Sequence, residues 1–364
     1  MAAAPHVANA PAPPPPRRYR ARVARLVPRA RGIHLRLLGR STLRVNVAQN
    51  GHTLVQLRGY GGLVRTLRRR HGGRLPHHHF VSSHFSPDAR HVVLTDERRT
   101  LRVFSVPRAH LVMTIHNAVR PRWLDANAVG FQRGCRVMRV RLGGTARAMG
   151  AIKPPCKNVL HTSEDLRRWF VADPTPRHHG VLDEYARVRM IDVTSGSDIV
   201  LVDSNASGGI LLPRVSPDGR RVCFARTNFH LYCTRAGKTE LVWDRVYRPL
   251  RFDDSGDKLL FANRPKSSAR SRIVVVDFAS RSATITPRAA REWWQFMPGG
   301  TRIVGHGGPS SAIVYDLQNN WQADVGAPDS EWEGVWMVPG DARRFAIGRE
   351  RRGSRDVYLV NLPR

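Results

Sequence analysis

The sequence predicts an all-β fold: a single β-propeller of seven or eight four-stranded blades, preceded by a Pro/Arg-rich N-terminal tail. Three observations carry this expectation. A turn-plus-strand segment recurs along the 364 residues with a period of about 40. Further short apolar, β-branched runs follow each copy, as the remaining strands of a four-stranded unit would. No amphipathic helix of useful length appears, and the one tempting segment, SEDLRRWF at 163–170, aligns with the repeat instead.

The copies read FSPDARHVVL from 85, VSPDGRRVCF from 215, FDDSGDKLLF from 252 and FMPGGTRIVG from 296, with weaker ones from 123, 162 and 337. A degenerate copy, LVPRARGIHL, starts at 26. In each, an apolar residue ends one strand and a Pro-Asp-Gly-type tetrad turns the chain. Pro presets φ, and Gly or Asp accepts unusual φ. An apolar run follows as a second strand. A third strand comes later, as in RVMRVRL at 136–142, RIVVVDF at 272–278 and DVYLVNL at 356–362. A short fourth strand often follows, as in HLVMTI at 110–115 and TELVW at 239–243. Four short antiparallel strands per 40-odd residues is the blade of a propeller.

SPDGRRVCF at 216–224, with third strands ending hydrophobic-Asp-hydrophobic (VVVDF, VYDL, MIDV), resembles the TolB-type, or WD40-like PD40, propeller repeat. The resemblance covers roughly 26–362 and speaks to architecture rather than function. The Gly-His and Trp-Asp marks of true WD40 blades are absent. It implies a tail over 1–21 and a propeller over 22–364. Eight repeat starts predict eight blades. The last copy stops after its third strand, so a closing strand from the N-terminus is expected. If TLVQL at 53–57 plays that part, seven blades remain.

The formal net charge is +32, and only five of the 60 basic residues are lysines. Such a balance implies an anionic partner, although an arginine-rich composition would produce the same excess on an ordinary surface. The distribution is uneven. The first acidic residue is Asp88, and 16 arginines precede it; the remainder carries 44 basic and 28 acidic residues. Arg17, Arg18, Arg20, Arg22 and Arg25 form one cluster, and Arg68, Arg69, Arg70 and Arg74 a second. Guanidinium forks donate bidentate hydrogen bonds to phosphate or carboxylate, so both clusters are candidate anion sites. Trp293, Trp294, Trp332 and Trp336 are candidate aromatics of a binding surface.

His77, His78 and His79 precede the first strand of a blade and are weak candidates for a divalent-metal site. Neighbouring residues on a strand point to opposite faces, so three in a row cannot share one ion from a strand; no metal or other cofactor is expected. The Asp88 and Asp218 carboxyls read as turn formers. No GxSxG elbow or Walker loop occurs, and no catalytic residue is assigned. The four cysteines make no CxxC pair. Cys223 and Cys233 could face each other across a hairpin, but in a chain without a secretory signal they are expected as buried thiols. No apolar run is long enough for a transmembrane helix.

The function expected from these residues is a non-catalytic, monomeric, cytoplasmic propeller scaffold. It would bind a protein, a nucleic acid or another polyanion through its basic N-terminal quarter. The Arg-rich, acid-free N-terminus also has the composition of an organelle-targeting segment. The alternative is a propeller hydrolase or lyase, with a site at the channel mouth and a His-bound metal.

Overall fold

In the computed structural model the described backbone comprises 17–20, 22–30, 33–38, 41–47, 53–59, 64–67 and, with short gaps, 80–362. Side chains are described for most of 84–325 and for 342, 343, 345, 347 and 360–362. No helix is found among the described residues, and the strands fall into eight four-stranded groups.

Two strands come before the first group: β1 (Arg17–Arg20) and β2 (Arg22–Ala30). Blade 1 holds β3 (Ile33–Leu38), β4 (Ser41–Val47), β5 (Thr53–Gly59) and β6 (Val64–Leu67). Blade 2 holds β7 (Phe80–Phe85), β8 (His91–Asp96), β9 (Leu101–Ser105) and β10 (His110–Ile115). Blade 3 holds β11 (Val119–Asp125), β12 (Ala128–Arg133), β13 (Arg136–Arg141) and β14 (Arg147–Ala151). In blade 4, β15 (Val159–Thr162), β16 (Arg168–His179), β17 (Leu182–Asp192) and β18 (Asp198–Asp203) follow one another.

Blade 5 holds β19 (Ile210–Val215), β20 (Arg221–Arg226), β21 (Leu231–Arg235) and β22 (Lys238–Trp243). Its first strand also pairs with β17, Glu184 facing Leu211. Blade 6 holds β23 (Val246–Phe252), β24 (Lys258–Asn263), β25 (Arg272–Asp277) and β26 (Ser282–Ala289). Blade 7 holds β27 (Trp294–Phe296), β28 (Arg302–Gly308), β29 (Ser311–Asp316) and β30 (Trp321–Gly326). The last three strands are β31 (Glu331–Met337), β32 (Arg344–Arg351) and β33 (Ser354–Asn361).

Blade 8 is completed from the other end of the chain, in the order β2-β33-β32-β31. The N-terminal strand therefore closes the last sheet, as expected, and the segment that does so is Arg22–Ala30. Thr53–Gly59 lies inside blade 1, between β4 and β6, so eight blades form. The degenerate copy at 26 begins on the closing strand and is not the turn of a first blade. Arg17–Arg20, expected in the tail, is strand β1, and it adds in parallel to the outer edge of β30. Unpaired strand edges gain hydrogen bonds this way, which is the reason Arg17–Arg20 takes strand form despite its tail-like composition.

The described residues of Met1–Pro28, Phe170–Arg189 and Val200–Arg364 form one compact unit, and those of Arg29–Trp169 and Met190–Ile199 another. In each unit the second strand of a blade is buried on both faces, as in AVGFQR on β12 and KLLFAN on β24. Fourth strands carry the exposed apolar residues Leu111, Ile199, Val200 and Leu241. In the second unit, Val93, Leu101 and Val103 of blade 2 pack against Trp123, Val129 and Phe131 of blade 3.

The turns bear out the reading of Asp88 and Asp218. Ser86 Oγ donates to Asp88 Oδ1 at 2.6 Å, and Arg90 N donates to the same oxygen at 3.1 Å. The set recurs at Ser163, Asp165 and Arg167, and at Ser216, Asp218 and Arg220. Gly219, at φ +72°, closes the last of these; its Cα faces the Phe170 ring, which a Cβ would meet at 2.7 Å.

The cysteines depart from expectation. Cys223 and Cys233 stand directly opposite on β20 and β21, and they form a disulfide with Cα atoms 4.1 Å apart. Cys135 and Cys156 form a second, with Cα atoms 5.5 Å apart. The expectation of buried thiols is thus corrected: close Cα approach lets opposed side chains bond where sequence spacing alone is silent.

Candidate functional site

The residue immediately before each turn copy occupies the same register on the first strand of its blade. These residues are His84, Arg122, His161, Arg214, Arg251, Gln295 and Trp336. Five of the seven are cationic or imidazole side chains. In the second unit, His84 (β7), Arg122 (β11) and His161 (β15) line one cavity of about 1220 Å³. In the first unit, Arg251 donates to Gln295 at 3.5 Å. Burial, and after it the neighbouring Arg214 charge, lowers the Arg251 guanidinium below its ordinary value.

The cavity in the second unit is strongly positive. Arg99, Arg120, Arg122, Arg133 and Lys157 line it, and no carboxylate is among its described lining residues. The sequence folds here through an irregular first strand. The β11–β12 register shifts between Val119 and Arg122, where Pro121 has no N–H to pair. Arg120 takes φ +53° to pass the irregularity; Arg99 (+58°) and Asn117 (+55°) are also left-handed. A non-glycine residue held there costs on the order of 1–3 kcal/mol, and such positions cluster at binding and catalytic sites.

Neutral acceptors position two of the guanidinium groups. Arg120 donates to Gln132 Oε1 at 2.8 Å and to the Lys157 carbonyl at 2.7 Å. Gln132, itself buried, donates to the carbonyls of Gly134 and Cys156. Arg122 donates to the carbonyls of Thr162 and Ser163 at 2.8 and 2.9 Å. Trp123 Nε1 donates to the His84 carbonyl at 2.9 Å. Consecutive first strands are tied together, and the Arg120 and Arg122 charges stay unneutralised. Burial pulls the Arg120 guanidinium below its ordinary value, yet an arginine stays charged. The more deeply buried arginines differ: Arg189 pairs with Asp173 at 2.9 Å and Arg302 with Asp316 at 2.8 Å.

The structure distributes the sequence candidates as follows. Arg17, Arg18 and Arg20 stand on β1, and Arg22 and Arg25 on β2, along the outer edges of blades 7 and 8. Trp332 and Trp336 stand on β31. Arg68, Arg69, Arg70, Arg74, His77, His78, His79 and Trp293 lie outside the described residues. Trp294 is only 3% exposed and packs with Leu260, Ile273, Ile303 and Tyr315. It is a core residue and not part of a binding surface, because its ring fills the space between blades 6 and 7. The cavity residues escaped sequence reasoning, which sought clusters along the chain; for His84, Arg122 and His161 the signal was periodic, one residue ahead of each copy, and Arg99, Arg120 and Arg133 carried none.

No family model matches the chain. No curated protein matches it either. Solved structures match over nearly its whole length. The C-terminal WD40 domain of Sif2 superposes with a TM-score of 0.59, at 11% identity, over 95% of this chain and 100% of that one. The chain is a β-propeller. An oligogalacturonate lyase in complex with manganese matches with a TM-score of 0.55, at 14% identity, over 94% of this chain and 93% of that one. A second such lyase, from Vibrio parahaemolyticus, gives 0.53 at 9% identity, over 95% and 98%. At these identities the likeness concerns the fold, which a WD40 domain and two lyases share. This propeller has no helix long and apolar enough to cross a membrane among its described residues.

Proposed function

We propose that this β-propeller is a non-catalytic, monomeric scaffold that binds a polyanionic partner, an acidic protein or a nucleic acid, through its basic N-terminal quarter. The observation that carries the reading is the placement of five arginines. Arg17, Arg18, Arg20, Arg22 and Arg25 lie on two strands at the outer edges of their sheets. No acidic residue precedes Asp88 to offset them. Arginines carried on paired strands are held by the sheet, which lowers the entropy cost of binding relative to a free tail. The two disulfides further favour an oxidising compartment over the cytoplasm.

Heparin and single-stranded DNA are the probes. Affinity should fall linearly with the logarithm of salt concentration, with a slope near −0.9 per phosphate contact on duplex and near −0.7 on single strands. The triple variant R17A/R18A/R20A should weaken binding and reduce the slope by about one per lost contact. Salt-independent binding, or an unchanged slope in that variant, rejects the reading. The lyase or hydrolase alternative needs a metal at His77, His78 and His79. Metal analysis of the purified chain tests it: stoichiometric divalent metal that H77A/H78A/H79A removes would favour the enzyme.

A further inference from the structure

We propose that the arginine-lined cavity of blades 2 to 4 is a binding site for a small organic oxyanion bearing two or more phosphate or carboxylate groups. This goes beyond the polyanion reading, since none of the arginines on β1 and β2 takes part.

Charge is the first argument. Arg99, Arg120, Arg122, Arg133 and Lys157 surround one concavity with no carboxylate among the described lining residues. Among the described residues none of the five is in an ion pair. Five like charges repel one another when the cavity is empty, and an anion relieves that repulsion. Elsewhere in the chain buried arginines are given carboxylate partners, as at Arg189–Asp173 and Arg221–Asp257. No such pairing is described for the five cavity cations.

Preorganisation is the second. Arg120 and Arg122 are fixed by carbonyl and amide oxygens, which orient a guanidinium without neutralising it. Each uses part of its five-donor fork on the protein and can turn the rest to a ligand. The left-handed backbone at Arg120 (φ +53°) recurs at Leu212 (φ +52°), each just before a first-strand proline, so it belongs to the repeat and serves here to set the direction of the Arg120 side chain. The Cys135–Cys156 disulfide braces the same wall: the Cys156 carbonyl holds Gln132, and Gln132 holds Arg120.

Size is the third. About 1220 Å³ exceeds the roughly 300–1,000 Å³ usual for small-molecule sites, so an organic anion fits with water to spare. Cations contributed from one concave stretch of blades 2 to 4 can converge on a compact ligand. Phosphate and carboxylate are both served by guanidinium forks.

Isothermal titration of the full chain with pyrophosphate, citrate and an uncharged sugar tests the site. One equivalent of pyrophosphate or citrate should bind, and the sugar should not; the preferred anion identifies phosphate or carboxylate. R120Q should weaken binding tenfold or more. R133Q/K157Q removes two charges that make no described hydrogen bond from their side chains, so it should fold normally and also lose at least tenfold. R17A/R18A/R20A should bind the small anion as the parent does, whatever happens to heparin. Absence of binding by both anions, or equal affinity in R133Q/K157Q, overturns the proposal. So does loss of small-anion binding in R17A/R18A/R20A.

Discussion

Arg122 shows what a single register position does in a repeat protein. It stands one residue before a turn, on a first strand, and reaches the carbonyls of the next blade's first strand. Its charge is wanted by the cavity and its hydrogen bonds by the fold. The turn beside it works on similar chemistry with the opposite sign. The hydroxyl of Ser86, donating to Asp88, holds that carboxyl below its ordinary value, and Ser163 does so for Asp165. A carboxyl lowered in the folded state adds stability above the unfolded-state value, and that stability is lost as pH falls through the lowered one. S86A and S163A should therefore lower the urea midpoint at neutral pH. The difference from the parent should shrink in acid, below the usual carboxylate range, to what the hydroxyl contributes by accepting from His91 N or Arg168 N. A difference that does not change with pH would exclude a contribution from the carboxyl. These turns were fully legible in the sequence, because Ser-Pro-Asp-Gly is local chemistry. The cavity was not: its members His84, Arg122 and His161 stand on the first strands of three successive blades, and only the fold brings them and the arginines between them to one concavity.

At the scale of elements, the two disulfides have different tasks. Cys223–Cys233 joins neighbouring strands already paired in one ladder and closes a separation of 10 residues. Cys135–Cys156 closes 21 and ties the start of β13 to the segment between blades 3 and 4. For a loop of that order, crosslinking contributes about 3 kcal/mol, less for the shorter one. Urea denaturation of C135S/C156S should show the larger loss. The same variant should loosen the Cys156 carbonyl that holds Gln132, and pyrophosphate should bind it more weakly; C223S/C233S should bind it as the parent does. The hairpin between Cys223 and Cys233 made their facing each other an open alternative, whereas nothing in the spacing of Cys135 and Cys156 announced their bond. Pairing depends on register, and only folded strands have one.

For the whole molecule, the period of the repeat predicted the fold, and solved propellers match it over nearly all of the chain. The weak point was the N-terminus. The copy at 26 lacks the Asp and Gly that make the other turns recognisable, and its first half is spent on β2 rather than on a turn. Removing residues 1–30 should leave β33 without its outer partner, lower the melting temperature and promote association, seen by light scattering. Trimming 1–16 leaves β1 and β2 intact and should change neither reading.

The closing strand also sets a timetable. β2 spans Arg22–Ala30 and its partner β33 spans Ser354–Asn361, so β2 leaves the ribosome well before its mate is made. At about 5–20 residues per second, the chain between them takes tens of seconds to synthesise. Throughout that interval a strand with open hydrogen-bonding edges waits for a mate not yet made. Such edges recruit strangers. Arginines on β2 keep other nascent chains apart by mutual repulsion, and the same cations proposed to greet a partner in the finished protein would first act as guards of its assembly.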